Sequence, residues 1–145
     1  MAAGKAFIDD YLLYLLARAS HQASRQFHQV IKAQGVPAPQ WRVLATLNDG
    51  PRTIGDLAEI TLIQQPTLTK LIDRMAREGL VRRQPHSDDG RKVVVAIAGR
   101  GAALVRKLLP QAKRHETDVL AGYDGDEAAT LKRILRTLIA RTDES

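Results

Sequence analysis

A single segment, residues 64–78, constrains this chain most, because its apolar and polar side chains separate onto two faces of a helix. Pro66 is typical of a first helical turn, and Gly79 is typical of the residue after a helix. The apolar stripe has the i, i+3, i+4, i+7 spacing of a buried helical face. It consists of Leu68, Leu71, Ile72 and Met75. We therefore predict a helix that packs this stripe inward.

The opposite face of this helix carries side chains suited to reading DNA. They are Gln64, Gln65, Pro66, Thr67, Thr69, Lys70 and Arg74. Gln can bond adenine as both donor and acceptor, Thr can touch a thymine methyl, and Lys or Arg can bond guanine or phosphate. A surface helix with no ligand would also be polar here, so only the neighbouring elements can distinguish a DNA-binding helix from an ordinary surface helix.

The neighbouring elements favour a DNA-binding arrangement. We predict helices at residues 40–47 and 54–60, and strands at residues 80–84 and 91–97. Thr53 is suited to cap the second helix, and residues 86–90 carry a turn signal. The order is helix, turn, helix and a hairpin with a basic rim, which is a winged helix-turn-helix.

The predicted hairpin places cations just past its turn. Arg91 and Lys92 could there reach a minor groove or its phosphates, where the potential favours Arg without a base-specific bond. Asp89 lies two residues before Arg91 and could orient it through a charge-assisted bond. The alternative is an ordinary surface ion pair that contributes about 0–1 kcal/mol.

The positive charge is concentrated in the middle of the chain. The formal net charge is +6, and between residues 64 and 107 Lys and Arg outnumber Asp and Glu by ten to four. The flanks are therefore neutral in sum. A basic middle between neutral flanks indicates a polyanion partner, although charge alone is equally compatible with a solvated face.

The ends of the chain are predicted to be helical and to associate with a second copy. Residues 5–34 contain no Pro or Gly after Lys5 and predict one helix of about 45 Å, longer than the diameter of about 38 Å of a compact chain this size. Residues 102–122 and 126–141 predict two further amphipathic helices. The residues predicted at the dimer interface are Ile8, Leu12, Leu15, Leu131, Leu135 and Leu138.

Taken together, these residues resemble the MarR family of bacterial winged-helix transcription factors over nearly the whole chain. Asp89-Gly90-Arg91 fits the Asp-x-Arg motif of the family wing, and Gly101 follows ten residues after Arg91. The segment 79–83 precedes the wing, and residues 66–75 resemble the family's recognition helix. Ala98 departs from the pattern, since the family usually has a capping Thr there.

The resemblance implies a mainly α fold (α+β with a small β-wing), in a single domain over residues 1–145. Residues 39–98 would form the DNA-binding region, and residues 1–38 and 99–145 the helical dimerisation region. It also implies a homodimeric repressor on a palindromic promoter site of double-stranded DNA, with recognition helices about 34–36 Å apart. The alternative is a basic helical protein-interaction module without specific DNA binding.

The resemblance further implies a small effector, often an aromatic or phenolic acid, that lowers DNA affinity. His21 and His28 are seven residues apart and share a helix face, which could form a pocket with cationic ends. The residues proposed for this pocket are Arg18, His21, Arg25, His28, Trp41 and Arg42. Such a pocket would suit a carboxylate or a thioester of an aromatic acid. The alternative is that these residues are surface arginines, half-buried histidines and a core tryptophan with no role in binding a ligand.

Other classes of function find little support in the sequence. It contains no nucleophile elbow, dinucleotide fingerprint or phosphate loop, so we expect no enzyme and no cofactor. His-containing clusters lack zinc-like spacing, and with no cysteine the peroxide-sensing thiol variant is excluded. No apolar run approaches the roughly 18 residues of a membrane span, and no secretory signal is evident. We expect a cytoplasmic protein without membrane contact.

Overall fold

The computed structural model describes residue 4, residues 6–85 and residues 92–143. The chain forms two compact units, Met1–Gln111 and Ala112–Ser145. The fold is mainly helical with a small antiparallel sheet, which confirms the predicted fold class. After a 3₁₀ helix at Phe7–Asp10 the elements are α1 (Leu12–Lys32), α2 (Ala38–Leu47), β1 (Arg52–Thr53), α3 (Ile54–Thr61), α4 (Gln65–Arg77), β2 (Val81–Pro85), β3 (Val93–Ile97), α5 (Gly99–Val119) and α6 (Gly125–Thr142).

The sheet has three strands in the order β1-β3-β2, all antiparallel. The two predicted strands form the wing, with Arg83 opposite Val95 and Pro85 opposite Val93. The third strand, β1, was not predicted, because two residues are too short to show an alternating pattern. It pairs Arg52 with Val95, so the wing is joined to the start of α3.

The core of the first unit is built around the inner face of α4. All four apolar residues predicted to point inward are buried there, which confirms the assignment of faces. They pack in one cluster with residues of α2, α3, the sheet and α5. The remaining buried members of that cluster are Val43, Leu44, Leu47, Leu57, Leu80, Val81, Val95 and Val105. One continuous core therefore fixes the orientation of α4.

The end of α4 is set by a glycine in the left-handed conformation. Gly79 has φ 76°, a backbone angle that residues with a Cβ rarely adopt. Its N–H donates to the carbonyl of Ala76 at 3.1 Å, and the N–H of Leu80 donates to that of Met75 at 2.9 Å. These two bonds form a Schellman motif, which turns the chain directly from α4 into β2.

The first helix is shorter than predicted, and the prediction of one helix from residue 5 was wrong. Tyr11 has an extended backbone (φ −79°, ψ 119°) that separates the 3₁₀ helix from α1. The Phe7 and Tyr11 rings stack with centroids 5.0 Å apart across this break. With 21 residues, α1 spans about 32 Å, so its length no longer argues for a dimer. Only its exposed apolar residues do.

The second unit is a helical hairpin made by the end of α5 and by α6. Asp124 and Glu127 form a capping box at the start of α6, with N–H···O distances of 2.7 and 3.1 Å. Lys132 and Glu116 form an ion pair. No residue of α6 is buried within this unit. Among the described residues, no helix is long and apolar enough to cross a membrane.

The start of α5 lies directly against the turn that follows α4. The N–H of Ala98 donates to the carbonyl of Leu80 at 3.0 Å, and the carbonyl of Ala98 accepts from Ala102 at 2.8 Å. Gly101 is buried on the inner side of this first turn. A Cβ at Gly101 would lie 2.1 Å from the carbonyl oxygen of Leu80, so only glycine allows this approach.

We predict that Gly101→Ala lowers the free energy of unfolding by about 2 kcal/mol, because the clash is with backbone and cannot relax by a rotamer change. Urea unfolding measures the effect. Gly99→Ala is the matched control, since nothing lies within 4 Å of a Cβ there. It should be neutral or stabilising by up to about 1 kcal/mol. Equal losses for both variants would contradict the close approach.

Candidate nucleic-acid interface

The outer face of α4 is a continuous polar surface. Every side chain predicted to contact DNA from this segment is exposed: Gln64, Gln65, Pro66, Thr67, Thr69, Lys70 and Arg74. Gln64 occupies the N-cap position, and in the described structure no side chain caps the first turn. The first turn also lacks acidic residues. The N–H groups at this end are therefore available to an anion such as a phosphate.

The helix that precedes α4 is held by the predicted cap. The Thr53 hydroxyl oxygen accepts from the N–H of Asp56 at 3.1 Å, and Asp56 lies in the first turn of α3. At the other end of α3, Leu62 takes a left-handed conformation with φ 62°. The chain then enters α4 after Ile63 and Gln64, which completes the helix-turn-helix.

Two arginines of β2 hold the wing in place. Arg83 on β2 forms an ion pair with Asp73 on α4. Arg82 donates to the carbonyl of Ile97 at 3.4 Å, across the strand pair. Arg83 therefore links the wing to α4, while Arg82 links the two wing strands to each other. The exposed Lys70, Arg74 and Arg77 of α4 supply the positive charge of the interface.

Only part of the predicted wing tip can be located. Lys92 is exposed and lies immediately before β3. Asp89 and Arg91 fall outside the described residues, so their roles in orienting the wing and contacting DNA remain predictions. Of the wing, the structure describes β2 as far as Pro85 and β3 from Val93.

A cleft of about 650 Å³ runs along α1, on the side where α2 carries Arg42. We call it the α1 cleft. His21, Arg25, His28 and Arg42, four of the six residues predicted to contact a ligand, line it together. The two guanidinium groups and two imidazoles among these residues suit an anionic ligand.

The other two predicted ligand residues make different contacts. The Arg18 guanidinium donates to the Tyr14 hydroxyl and lies over that ring, 5.8 Å from its centroid. Trp41 packs edge-on against Phe27, with centroids 5.6 Å apart. Neither side chain belongs to the lining of the α1 cleft, and ligand contact by Arg18 and Trp41 stays a prediction.

Sequence reasoning missed several polar residues of the same cleft. Ser20, Ser24, Gln29 and Lys32 also line it. The spacing of Ser24 and Lys32 from the two histidines was a signal, because Ser24 lies three residues after His21 and Lys32 lies four after His28, and such positions share one helix face. Short polar side chains carry little information by themselves, so the pattern became visible only beside Arg42.

Most of the residues predicted at a dimer interface are exposed to solvent. Ile8, Leu12 and Leu15 are exposed near the start of α1, and Leu131 is exposed on α6. Leu135 and Leu138 are half-buried. Ile134 and Ile139 extend the exposed apolar face of α6. Their burial by a second copy stays a prediction.

Known proteins share this architecture. The family model described as the MarR family matches residues 34–92. The chain is also similar to the crystal structure of a MarR family transcriptional regulator from Silicibacter pomeroyi, at 41% identity and a TM-score of 0.85. That match covers 96% of this chain and 100% of the other.

Two further relatives are regulators of transcription or of DNA binding. The homoprotocatechuate degradative operon repressor of Escherichia coli is 29% identical over 132 residues, which cover 90% of this chain and 89% of the repressor. BpsR of Bordetella bronchiseptica is 27% identical with a TM-score of 0.80, and the match covers 98% of this chain and 100% of BpsR. The likeness therefore extends through the helices at both ends.

Proposed function

The chain belongs to the MarR family of transcriptional regulators, and we propose that it is a homodimeric repressor of bacterial genes that binds a palindromic operator. The exposed polar face of α4 is the observation that carries this proposal. An α-helix fits the major groove, and the amide, hydroxyl and cationic groups on this face match the donors and acceptors of base edges. A regulator of chromosomal genes would act in the cytoplasm.

The geometry supports separate roles for the residues of α4. Gln64, Gln65, Thr67 and Thr69 lie at or near its N-terminal end, which suits them to base contacts. Lys70 and Arg74 lie one and two turns further along and suit the phosphates or guanine. Lys92, together with Arg91, would contact the neighbouring minor groove. Asp89 would orient Arg91.

We predict that Lys70→Ala weakens binding to all DNA sequences alike and reduces the slope of log K against log salt by about 1, because one phosphate contact is lost. Gln65→Ala should instead reduce discrimination between the operator and random DNA by roughly 1–3 kcal/mol, with little change in slope. Fluorescence anisotropy at several salt concentrations measures both.

The control for these variants is Glu59→Ala, an exposed change on α3. Its operator affinity should stay within a factor of about 3 of wild type. If purified protein selects no sequence from random genomic fragments and is released uniformly by salt, the regulator proposal is wrong. A basic protein-interaction module would behave in that way.

We infer that the exposed apolar residues near the start of α1 and on α6 form the dimer interface. Exposed apolar surface of this extent is unfavourable in water and is typical of an association surface. A two-fold dimer would also match the symmetry of a palindromic operator. Ile8, Leu12 and Leu15 would contribute from one end of the chain, and Leu131, Leu135 and Leu138 from the other.

We predict that Ile134→Glu dissociates the dimer without unfolding the chain, because Ile134 is 51% exposed and contributes little to the fold of one copy. Light scattering measures the mass, and circular dichroism measures the helix content. Arg133→Glu, on the opposite polar face of α6, should remain dimeric. A dimer that survives Ile134→Glu would place the interface elsewhere.

We further propose that the α1 cleft binds a small aromatic acid that lowers operator affinity. DNA binding by BpsR is regulated by 6-hydroxynicotinic acid, an aromatic acid of this class. In this chain His21, Arg25, His28 and Arg42 would hold the carboxylate. Such a ligand acts only if it binds the DNA-incompetent state more tightly than the competent one.

We predict that 6-hydroxynicotinic acid changes the fluorescence of Trp41, the only tryptophan, because its neighbour Arg42 lines the cleft. Arg25→Met should weaken this response about tenfold, since a charge-assisted bond is lost. Arg52→Met, on β1 and away from the cleft, is the control. An identical titration for Arg25→Met and wild type would contradict the site.

A further inference from the structure

The turn between α3 and α4 contains a leucine in a backbone conformation that does not suit it. Leu62 follows the last turn of α3 with φ 62° and ψ 24°, in the left-handed region. Among the residues that the structure describes, it is the only one other than glycine with a positive φ. A Cβ is crowded in this region, so helices that end in this way usually have Gly or Asn there. Leucine at this position therefore carries a conformational cost that glycine would avoid.

The side chain of Leu62 does not offset this cost by packing within the chain. It is 86% exposed, more than any other large apolar residue of the described chain. The next residue, Ile63, packs against the core. The Thr61 hydroxyl donates to the carbonyl of Leu57 at 2.6 Å and closes the last turn of α3. An exposed leucine alone is ordinary, but a strained and exposed one indicates a contact made outside the chain.

The surroundings of Leu62 point to DNA as the partner, and this step rests on the proposed function. Leu62 lines a groove of about 570 Å³ beside α4, together with Thr67, Lys70 and Arg74. Those three residues belong to the face proposed to contact DNA. The two cations give the groove a charge that suits phosphates. Leu62 also lies two residues before Gln64, the N-cap of α4, and hence close to the helix end proposed to contact bases.

An apolar side chain has one well-suited partner among the base edges of the major groove. Guanine, adenine and cytosine present hydrogen-bond donors and acceptors there, whereas thymine also presents its C5-methyl group. We propose that Leu62 contacts the methyl group of one thymine in each half of the operator and is thereby a specificity-determining residue. Pro39, Ile63 and Pro66 also line the groove and add apolar surface that excludes water from this contact.

The strain at Leu62 makes a glycine variant informative. Leu62→Gly removes the side chain and fits the left-handed backbone. It should leave the thermal midpoint unchanged or slightly raised, because relief of strain offsets the greater flexibility of its unfolded chain. Leu62→Asn, which also tolerates this backbone, should behave in the same way. If both variants lose more than about 5 °C, Leu62 packs within the chain and the proposal is wrong.

The contact is measured on an operator that the full-length protein selects from random DNA. Each thymine is replaced in turn by uracil, which pairs in the same way but lacks the methyl group. At one position in each half-site the replacement should weaken wild-type binding about fourfold, because one buried methyl group is lost. Leu62→Gly should bind the thymine and uracil forms of this position equally well. Fluorescence anisotropy measures the four affinities.

Two variants control for effects other than loss of the methyl contact. Leu62→Met keeps a flexible apolar side chain and should retain the preference for thymine over uracil. Ile60→Ala shortens another apolar residue near the end of α3, which is 50% exposed and is not part of the groove lining. It should retain the full fourfold preference. A preference lost equally in Ile60→Ala and Leu62→Gly overturns the assignment to Leu62.

The remaining outcomes separate this contact from the proposed function. A selected operator in which no uracil replacement weakens wild-type binding overturns the Leu62 contact alone. A thymine preference that persists unchanged in Leu62→Gly also overturns it, since another side chain then contacts the methyl group. Failure to select any sequence overturns the repressor proposal and, with it, this contact.

Discussion

Leu68 and Ile72 on α4 are completely buried, and so is Met75 one turn later. Because these side chains interlock with α2, α3 and the sheet, α4 cannot rotate without opening the core. Rotation by one residue would bury Lys70 or Thr69 and expose Leu68. The packing of one apolar stripe thus determines which side chains face outward, and the proposed interface with DNA depends on it.

The junction after α4 fixes the position of α4 relative to the wing and to the start of α5. Gly79 turns the chain, the Leu80 carbonyl accepts from Ala98, and Gly101 lets α5 approach that carbonyl. Arg83 adds an ion pair to Asp73 from the wing side. This pair is partly exposed and contributes at most about 1 kcal/mol, so the backbone contacts hold the arrangement and the ion pair refines it.

The sequence predicted long, strongly periodic elements well and short or broken ones poorly. The inward stripe of α4 and the Thr53 cap follow from side-chain type and spacing alone. β1 has only two residues and exists because β3 offers an open edge. The break at Tyr11 replaced a predicted continuous helix, since nothing in its side chain forbids helix and the extended backbone is selected by context.

The sequence alone determined the faces of the helices, the basic middle of the chain and the likeness to a family, because these depend on residue type and period. Only the tertiary structure decided which polar residues meet. It brought Arg42 to the face of α1 that carries His21, and turned Trp41 toward Phe27 instead. It also buried Gln40 beside Arg74 and Arg100. These residues are far apart in the chain and are brought together by the packing of the helices. No local sequence pattern encodes that packing.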